Sequence, residues 1–177
     1  MSTSAHNVQH AAKDIRSTLL EARLFDETWW LLEGTHPDRD TIVKACNRHV
    51  VFFQALRPGM FVAFIVVLSS LFDERNDSVT LKSIPQIIAD PSFADLWKRG
   101  RRLYRYRSKS IAHRDVQNET IDFAAATGFS YDGLRGILAD ACQIYDRYAR
   151  AHKFEPLPSV DFSASADLLR LLRKLAE

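Results

Sequence analysis

Along most of the chain, apolar residues recur at spacings of three and four, and no segment alternates convincingly with period two. Ile15, Leu19, Leu20, Ala22 and Phe25 fall on one face of a helix expected from about Ser4 to Leu32. Trp29-Trp30-Leu31-Leu32 ends it, Gly34 stops it, and Gly34 to Arg39 reads as a turn. A second helix begins near Asp38 and runs to Pro58-Gly59. Pro58 suits the first position of a third helix ending at Phe72, because its missing N–H is not needed there; one long kinked helix is the alternative. Thr80 is placed to cap a short helix, and Asp90 to cap another that has Pro91 at its first position. Phe93, Leu96, Trp97 and Leu103 form the apolar side of that second one. Ser130 caps a helix over Tyr131–His152, whose Leu134, Ile137, Leu138, Ala141, Ile144, Tyr145 and Tyr148 repeat with helical spacing. Glu155-Pro156-Leu157-Pro158 is an extended linker. A last helix, about Ser165 to Ala176, carries Leu168, Leu169, Leu171, Leu172 and Leu175. Five or six helices joined by short turns predict an all-α, up-and-down bundle. They form one domain over residues 1–177, with the helix at about 163–177 as an appended or dimerising element.

Length and composition leave that picture intact. The 177 residues suit one domain, and six glycines with six prolines leave little room for long irregular stretches. Cys46 and Cys142 belong to no metal-spaced cluster and read as buried small hydrophobes in a reducing compartment. The segment Met60–Phe72 is strongly apolar but, at 13 residues, falls short of the roughly 20 that cross a bilayer. It is expected to be a fully buried central helix. Met1 to Gln9 is polar, without the apolar run of a secretory signal. The expectation is a cytoplasmic protein with no membrane partner.

Charge changes the picture more. Net charge is only +2, but Lys98, Arg99, Arg101, Arg102, Arg105, Arg107, Lys109 and Arg114 stand against Asp115 alone between positions 98 and 115. The rest of the chain is therefore net acidic. The run lacks the interspersed acids that would form i,i+4 pairs, so its like charges repel unless an anion relieves them. Trp97, Tyr104 and Tyr106 are interleaved with it. Arginine for phosphate and aromatic rings for bases are what single-stranded nucleic acid requires. Single-stranded RNA is the expected partner, with Arg102, Arg105, Arg114 and Tyr106 in contact with it.

The phosphate loop, the dinucleotide glycine pattern, the zinc-protease motif and the serine-hydrolase elbow are all absent. His6 and His10 are spaced i, i+4 but lack a carboxylate or thiol partner, and His36, Asp38 and Asp40 make an ordinary polar turn. No metal and no cofactor is expected. Arg107 and His113 point to metal-free RNA cleavage. A group titrating near neutrality takes the 2′-OH proton or protonates the leaving 5′-oxygen, and a fixed guanidinium meets the charge building on phosphorus. Surrounding cations should lower the histidine pKa and favour the neutral base. Six residues along an ideal helix, however, leave the two side chains roughly 120° apart. Arg102, Tyr106, Lys109 and His113 would instead share one stripe. Convergence of Arg107 and His113 requires the helix to unwind near Ile111, or two copies of the motif to meet at a dimer interface.

Arg107 to Asp115, R-S-K-S-I-A-H-R-D, resembles the R-x(4–6)-H motif of HEPN domains. Within them it is most similar to the abortive-infection U-type branch, with its Arg-polar-Lys-x-x-Ala-His-x-Asp run. L-S-S-L-F-D-E-R-N-D-S-V-T-L-K-S-I, earlier in the chain, sits where that branch has a helix end, an Asp and a Ser/Leu-rich start. The resemblance is closest from about Asp38 to Asp115. It implies an all-α bundle that is usually a homodimer, with two motifs meeting across the interface. In many members it implies a metal-independent ribonuclease of phage-defence or toxin–antitoxin systems, the latter with an antitoxin protein as partner. Arg107 and His113 match the catalytic pair, with Ser108 and Lys109 in support. The residue after the arginine is commonly Asn, Asp or His in the family, whereas here it is Ser108. Some members only bind RNA, nucleotides or partner proteins, and that non-catalytic alternative stays open.

Overall fold

A computed structural model describes residues 2–112, 123–158 and 164–177. Among these the chain is helical throughout, without strands. The helices are α1 (Ser2–Glu33), α2 (Arg39–Arg48), α3 (Val50–Ser70), α4 (Pro85–Ile88), α5 (Phe93–Tyr106), α6 (Phe123–Thr127), α7 (Tyr131–His152) and α8 (Ala164–Ala176). A 3-10 turn covers Leu81–Ser83 and a π turn covers Arg107–Ala112. The all-α expectation holds. The number of helices among the described residues exceeds the expected five or six by the one-turn elements α4 and α6. Two compact units emerge, residues 1–21 with 65–157 and residues 22–64 with 158–177.

In the larger unit, α5 packs on α7 and α6, and α4 packs on α5 and α7. Ile15, Leu19, Leu68, Phe72, Leu96, Leu103, Ile137 and Tyr145 are among its fully buried side chains. Local caps set its boundaries. The Ser130 hydroxyl accepts from the Gly133 N–H at 3.1 Å and starts α7 at the residue the sequence indicates. Thr80 and Ser83 close a reciprocal capping box around the 3-10 turn. Asp90 does not cap α5, which begins two residues later than expected with Ser92 before it. Its carboxylate instead accepts from the Ser92 N–H and hydroxyl and from Arg147 on α7. Gly100 lies inside α5 because a Cβ there would overlap the Phe72 ring.

In the smaller unit, Leu31 and Leu32 of α1, Ile42 and Ala45 of α2, Phe53 of α3 and Leu172 and Ala176 of α8 form one cluster. The leucine-rich α8 thus packs within its own chain, on α2. Arg173 of α8 pairs with Asp38 at 2.7 Å, and the Ala164 N–H donates to Glu27 at 3.0 Å. Gly34 follows α1 with its N–H on the Trp30 carbonyl at 2.7 Å, where a side chain would collide with the Trp30 ring.

Helix α3 departs most from expectation. The chain breaks at His49, not at Pro58, so that α2 and the start of α3 both feed the α8 cluster. Pro58 lies inside a continuous 21-residue helix. The Met60–Phe72 segment is accordingly part of a longer apolar element, and it is not fully buried. Val51 is 83% exposed, Phe52 60%, and Val62 and Val66 are exposed too. By length and composition α3 is long and apolar enough to cross a membrane, with 17% of its most apolar window buried. Arg57, near its middle, pairs with Glu33, Nη2 donating to Oε2 at 2.7 Å. Cys46 and Cys142 are half-buried and form no disulfide, less enclosed than the sequence suggested; burial pushes the Cys46 thiol up, partly offset by Arg57 and Arg39.

Candidate nucleic-acid interface and motif turn

The apolar residues of α5 recur so that Phe93, Leu96, Trp97, Gly100 and Leu103 face inward. The basic residues are thereby divided into two sets. One set sits at the margin of the buried face and is held by acids outside positions 98–114, Asp95 one turn earlier in α5 among them. Arg99 donates to Asp95 at 2.8 Å and to Asp140 of α7 at 2.5 Å. Arg101 places its buried Nε beside the Glu74 carboxylate, as an ion pair out of line for a hydrogen bond. The absence of acids from positions 98–114 therefore overstates the unrelieved charge: the fold supplies Glu74 and Asp140 from elsewhere in the chain.

The other set, Lys98, Arg102, Arg105 and Lys109, is exposed. No acid among the described residues pairs with these four. Lys98, Arg102 and Arg105 follow spacings of four and three, one row along the outside of α5. The Arg102 guanidinium lies over the Phe129 ring, 5.2 Å from its centroid, and against Gly128. Gly128 takes the left-handed conformation at φ 70°, where an L side chain is disfavoured. Tyr106 does not share the exposed row. It is half-buried, edge-on to Phe123 with ring centroids 5.2 Å apart. Phe123 lies parallel to Tyr131 at 6.2 Å, and Tyr131 is 51% exposed. Tyr131 is thus the outward-facing ring beside the basic helix. Nothing in its local sequence distinguished it from the other apolar positions of α7.

Regular α geometry ends at Tyr106, and Arg107 to Ala112, the first six residues of the motif, form a π turn. Such turns widen the helix by one residue and are frequent at functional sites. Arg107 is anchored from below, its guanidinium 4.8 Å from the centroid of the Tyr104 ring. Tyr104 is in turn hydrogen-bonded to Asp73, which is buried and also accepts from the Arg75 backbone N–H at 3.0 Å and from its guanidinium at 3.1 Å. Burial alone would raise the Asp73 pKa; the hydrogen bonds from Arg75 and Tyr104 override it and hold the carboxyl at about 2. Arg75, Asp73, Tyr104 and Arg107 therefore lie in one chain of contacts leading to the motif arginine. Sequence reasoning noticed Asp73 only as a helix-end acid; the signal was an aspartate directly after the apolar S-S-L-F, where a buried charge needs partners. Ser108 is half-buried and Lys109 exposed. His113 and Arg114 lie outside the described residues.

An all-helical chain whose basic helix runs into an Arg-x5-His motif has the makings of a HEPN module. The family model described as AbiU2 (HEPN_AbiU2) matches residues 7–171, and the chain belongs to this abortive-infection family of HEPN domains. Neither the curated proteins nor the solved structures compared with the chain give a match.

Proposed function

We propose that the chain is a metal-independent endoribonuclease of the HEPN type, acting in phage defence or a toxin–antitoxin system as a homodimer with a composite active site. His113 moves the proton between the attacking 2′-OH and the leaving 5′-oxygen. Arg107 meets the charge on the pentavalent phosphorus. The P–O5′ bond breaks as the 2′-oxygen bonds to phosphorus, giving a 2′,3′-cyclic phosphate and a 5′-hydroxyl. Ser108 and Lys109 support the site, while Arg102, Arg105 and Arg114 hold the RNA backbone and Tyr106 backs the stacking surface. An antitoxin protein would restrain the enzyme in a toxin–antitoxin setting.

The observation that carries the reading is the change from α to π geometry at Arg107. The motif begins where the chain leaves regular α geometry, and turns of this kind are frequent at functional sites. The anchored Tyr104–Arg107 contact supports the same reading, since a transition-state cation works best when its position is fixed beforehand. Action in the cytoplasm, away from the membrane, is part of the proposal. Arg57 and Glu33 support it, because an ion pair near the middle of α3 would be costly in hydrocarbon.

Purified protein should cleave single-stranded RNA in excess EDTA. His113→Ala should lower the rate by about 10²–10⁴-fold, the usual worth of a positioned acid–base group, without lowering the melting temperature. Equal cleavage by wild type and variant would overturn the assignment. A second reading, a non-catalytic RNA-binding module, is favoured by the exposed row Lys98, Arg102, Arg105 and Lys109, which needs no histidine. It predicts salt-sensitive RNA binding with no cleavage by either protein.

A further inference from the structure

A cavity of about 510 Å³ opens between the first part of α1 and the end of α7, and it shares no residue with the motif or the basic row. Gln9, Lys13, Arg16 and Ser17 line it from one face of α1, and Tyr145, Lys153 and Phe154 close it from α7 and the residues after it. The spacing of the α1 set, i, i+4, i+7 and i+8, turns all four side chains to one side. The walls are fixed by contacts that leave the cavity's charge unmatched. Arg16 is held by Glu155 at 2.6 Å and by the Pro156 carbonyl at 3.0 Å. The buried Tyr145 hydroxyl donates to the Glu155 carbonyl at 3.0 Å. His10, expected from the sequence to lack a carboxylate partner, pairs with Asp14 one turn later at 2.9 Å. Glu155, the acid among the lining residues, is thus engaged, as is Asp14, and Lys13 and Lys153 pair with no acid among the described residues.

Lys153 carries a second, independent peculiarity. It ends α7 in the left-handed conformation, φ 59° and ψ 31°, with its N–H on the Ala149 carbonyl. It is the one non-glycine residue with positive φ among those described. Helices that end this way normally use glycine or asparagine, because a Cβ is disfavoured there. The chain instead accepts that strain and has a lysine among the residues lining the cavity. Strain of this kind collects where a side chain is needed.

We propose that this cavity binds a phosphate monoester carrying a flat or apolar group, of the size of a nucleoside monophosphate. Lys13 and Lys153 take the phosphate, and the Tyr145–Phe154 wall takes the apolar part. A phosphate monoester is close to a dianion at neutral pH, which matches two unpaired ammonium groups. The volume lies in the range of ordinary small-molecule sites. Lysine at the end of α7 also complements the negative pole of the helix; a role limited to that predicts a different outcome below.

Calorimetric titration of the full chain with AMP, adenosine and inorganic phosphate at 50 mM salt tests the proposal. AMP should bind at least ten-fold more tightly than adenosine or phosphate. Lys13→Ala and Lys153→Gly should each weaken AMP at least ten-fold, Lys153→Gly without lowering the melting temperature, while Arg105→Ala leaves AMP affinity unchanged. The proposal is overturned if AMP binds no better than its fragments. It is overturned equally if Arg105→Ala abolishes binding that the cavity variants retain. A lowered melting temperature in Lys153→Gly with unchanged AMP affinity would assign that lysine to the helix end alone and remove the site. None of these outcomes depends on whether the chain cleaves RNA.

Discussion

Helices α5 and α3 are the two most extreme stretches of the sequence, one in charge and one in apolarity, and the fold treats them in opposite ways. Charge on α5 is partly absorbed: Arg99 and Arg101 are met by Asp140 and Glu74, and only the outer row stays unpaired among the described residues. Apolarity on α3 is only partly absorbed. Phe53 and Phe64 are buried, but Val51, Phe52, Val62 and Val66 face outward. The difference is one of partner geometry. An arginine reaches a carboxylate on a neighbouring element through a long flexible side chain. A helix that is apolar all round needs packed surfaces on every side to be buried, and α3 does not have them. Composition along a segment therefore reports which residues need partners; it does not report whether the fold provides them.

Substitutions can break this contrast, beginning with the most severe. Gly100→Ala drives a methyl group into the buried Phe72 ring on the inner face of α5. It should cost about 3 kcal/mol, the upper part of the range for overpacking, seen as a lowered urea midpoint at unchanged slope. Asp73→Asn removes the carboxylate that positions Tyr104 beneath Arg107. The Asp73 carboxyl is held at about 2, against its ordinary 3.8, so the group stabilises the fold at pH above 3.8 and loses that contribution as pH falls toward 2. The variant should lose on the order of 2 kcal/mol at pH 7. Its stability should also vary less than that of wild type between pH 5 and pH 2, and urea melts across that interval check both points.

Asp140→Asn should matter less. Arg99 keeps Asp95, and both partners of the Arg99–Asp140 pair are partly exposed. A loss under about 1 kcal/mol is expected, measured by a double-mutant cycle with Arg99→Ala. Arg105→Glu, on the outer row, should change stability by less than about 0.5 kcal/mol. It should nonetheless weaken RNA binding and lower the salt slope by about one or more, as read in a gel-shift titration. Val51→Lys, on the exposed face of α3, should have the smallest effect on the isolated fold, again within about 0.5 kcal/mol in a urea melt. A loss of several kcal/mol would mean that this face is covered in solution.

What was legible in the sequence is what is decided within a few residues. Ser130 caps α7 through its own hydroxyl, and the expected range Tyr131–His152 is the observed one. Thr80, Gly34 and the ends of α8 were legible for the same reason. The basic run and the R-S-K-S-I-A-H string pointed to the family without any structure. The unread parts depend on residues far apart in the chain. Nothing near His49 announces a break, because its cause is the packing of Ile42, Ala45 and Phe53 with Leu172 and Ala176. Glu74 and Asp140 could not be assigned to Arg101 and Arg99 from spacing. Lys13 and Lys153 lie 140 positions apart and acquire meaning only as two walls of one cavity.

The π turn makes the length of the motif a mechanical variable. A π turn is an α-helix carrying one residue too many. Deleting Ser110 or Ile111 would let the helix close up into regular α form while leaving the phase of the chain beyond nearly unchanged, because a wide turn takes up its extra residue locally. The five residues between the arginine and the histidine thus include one that the turn absorbs, so the motif has slack of one residue in its length.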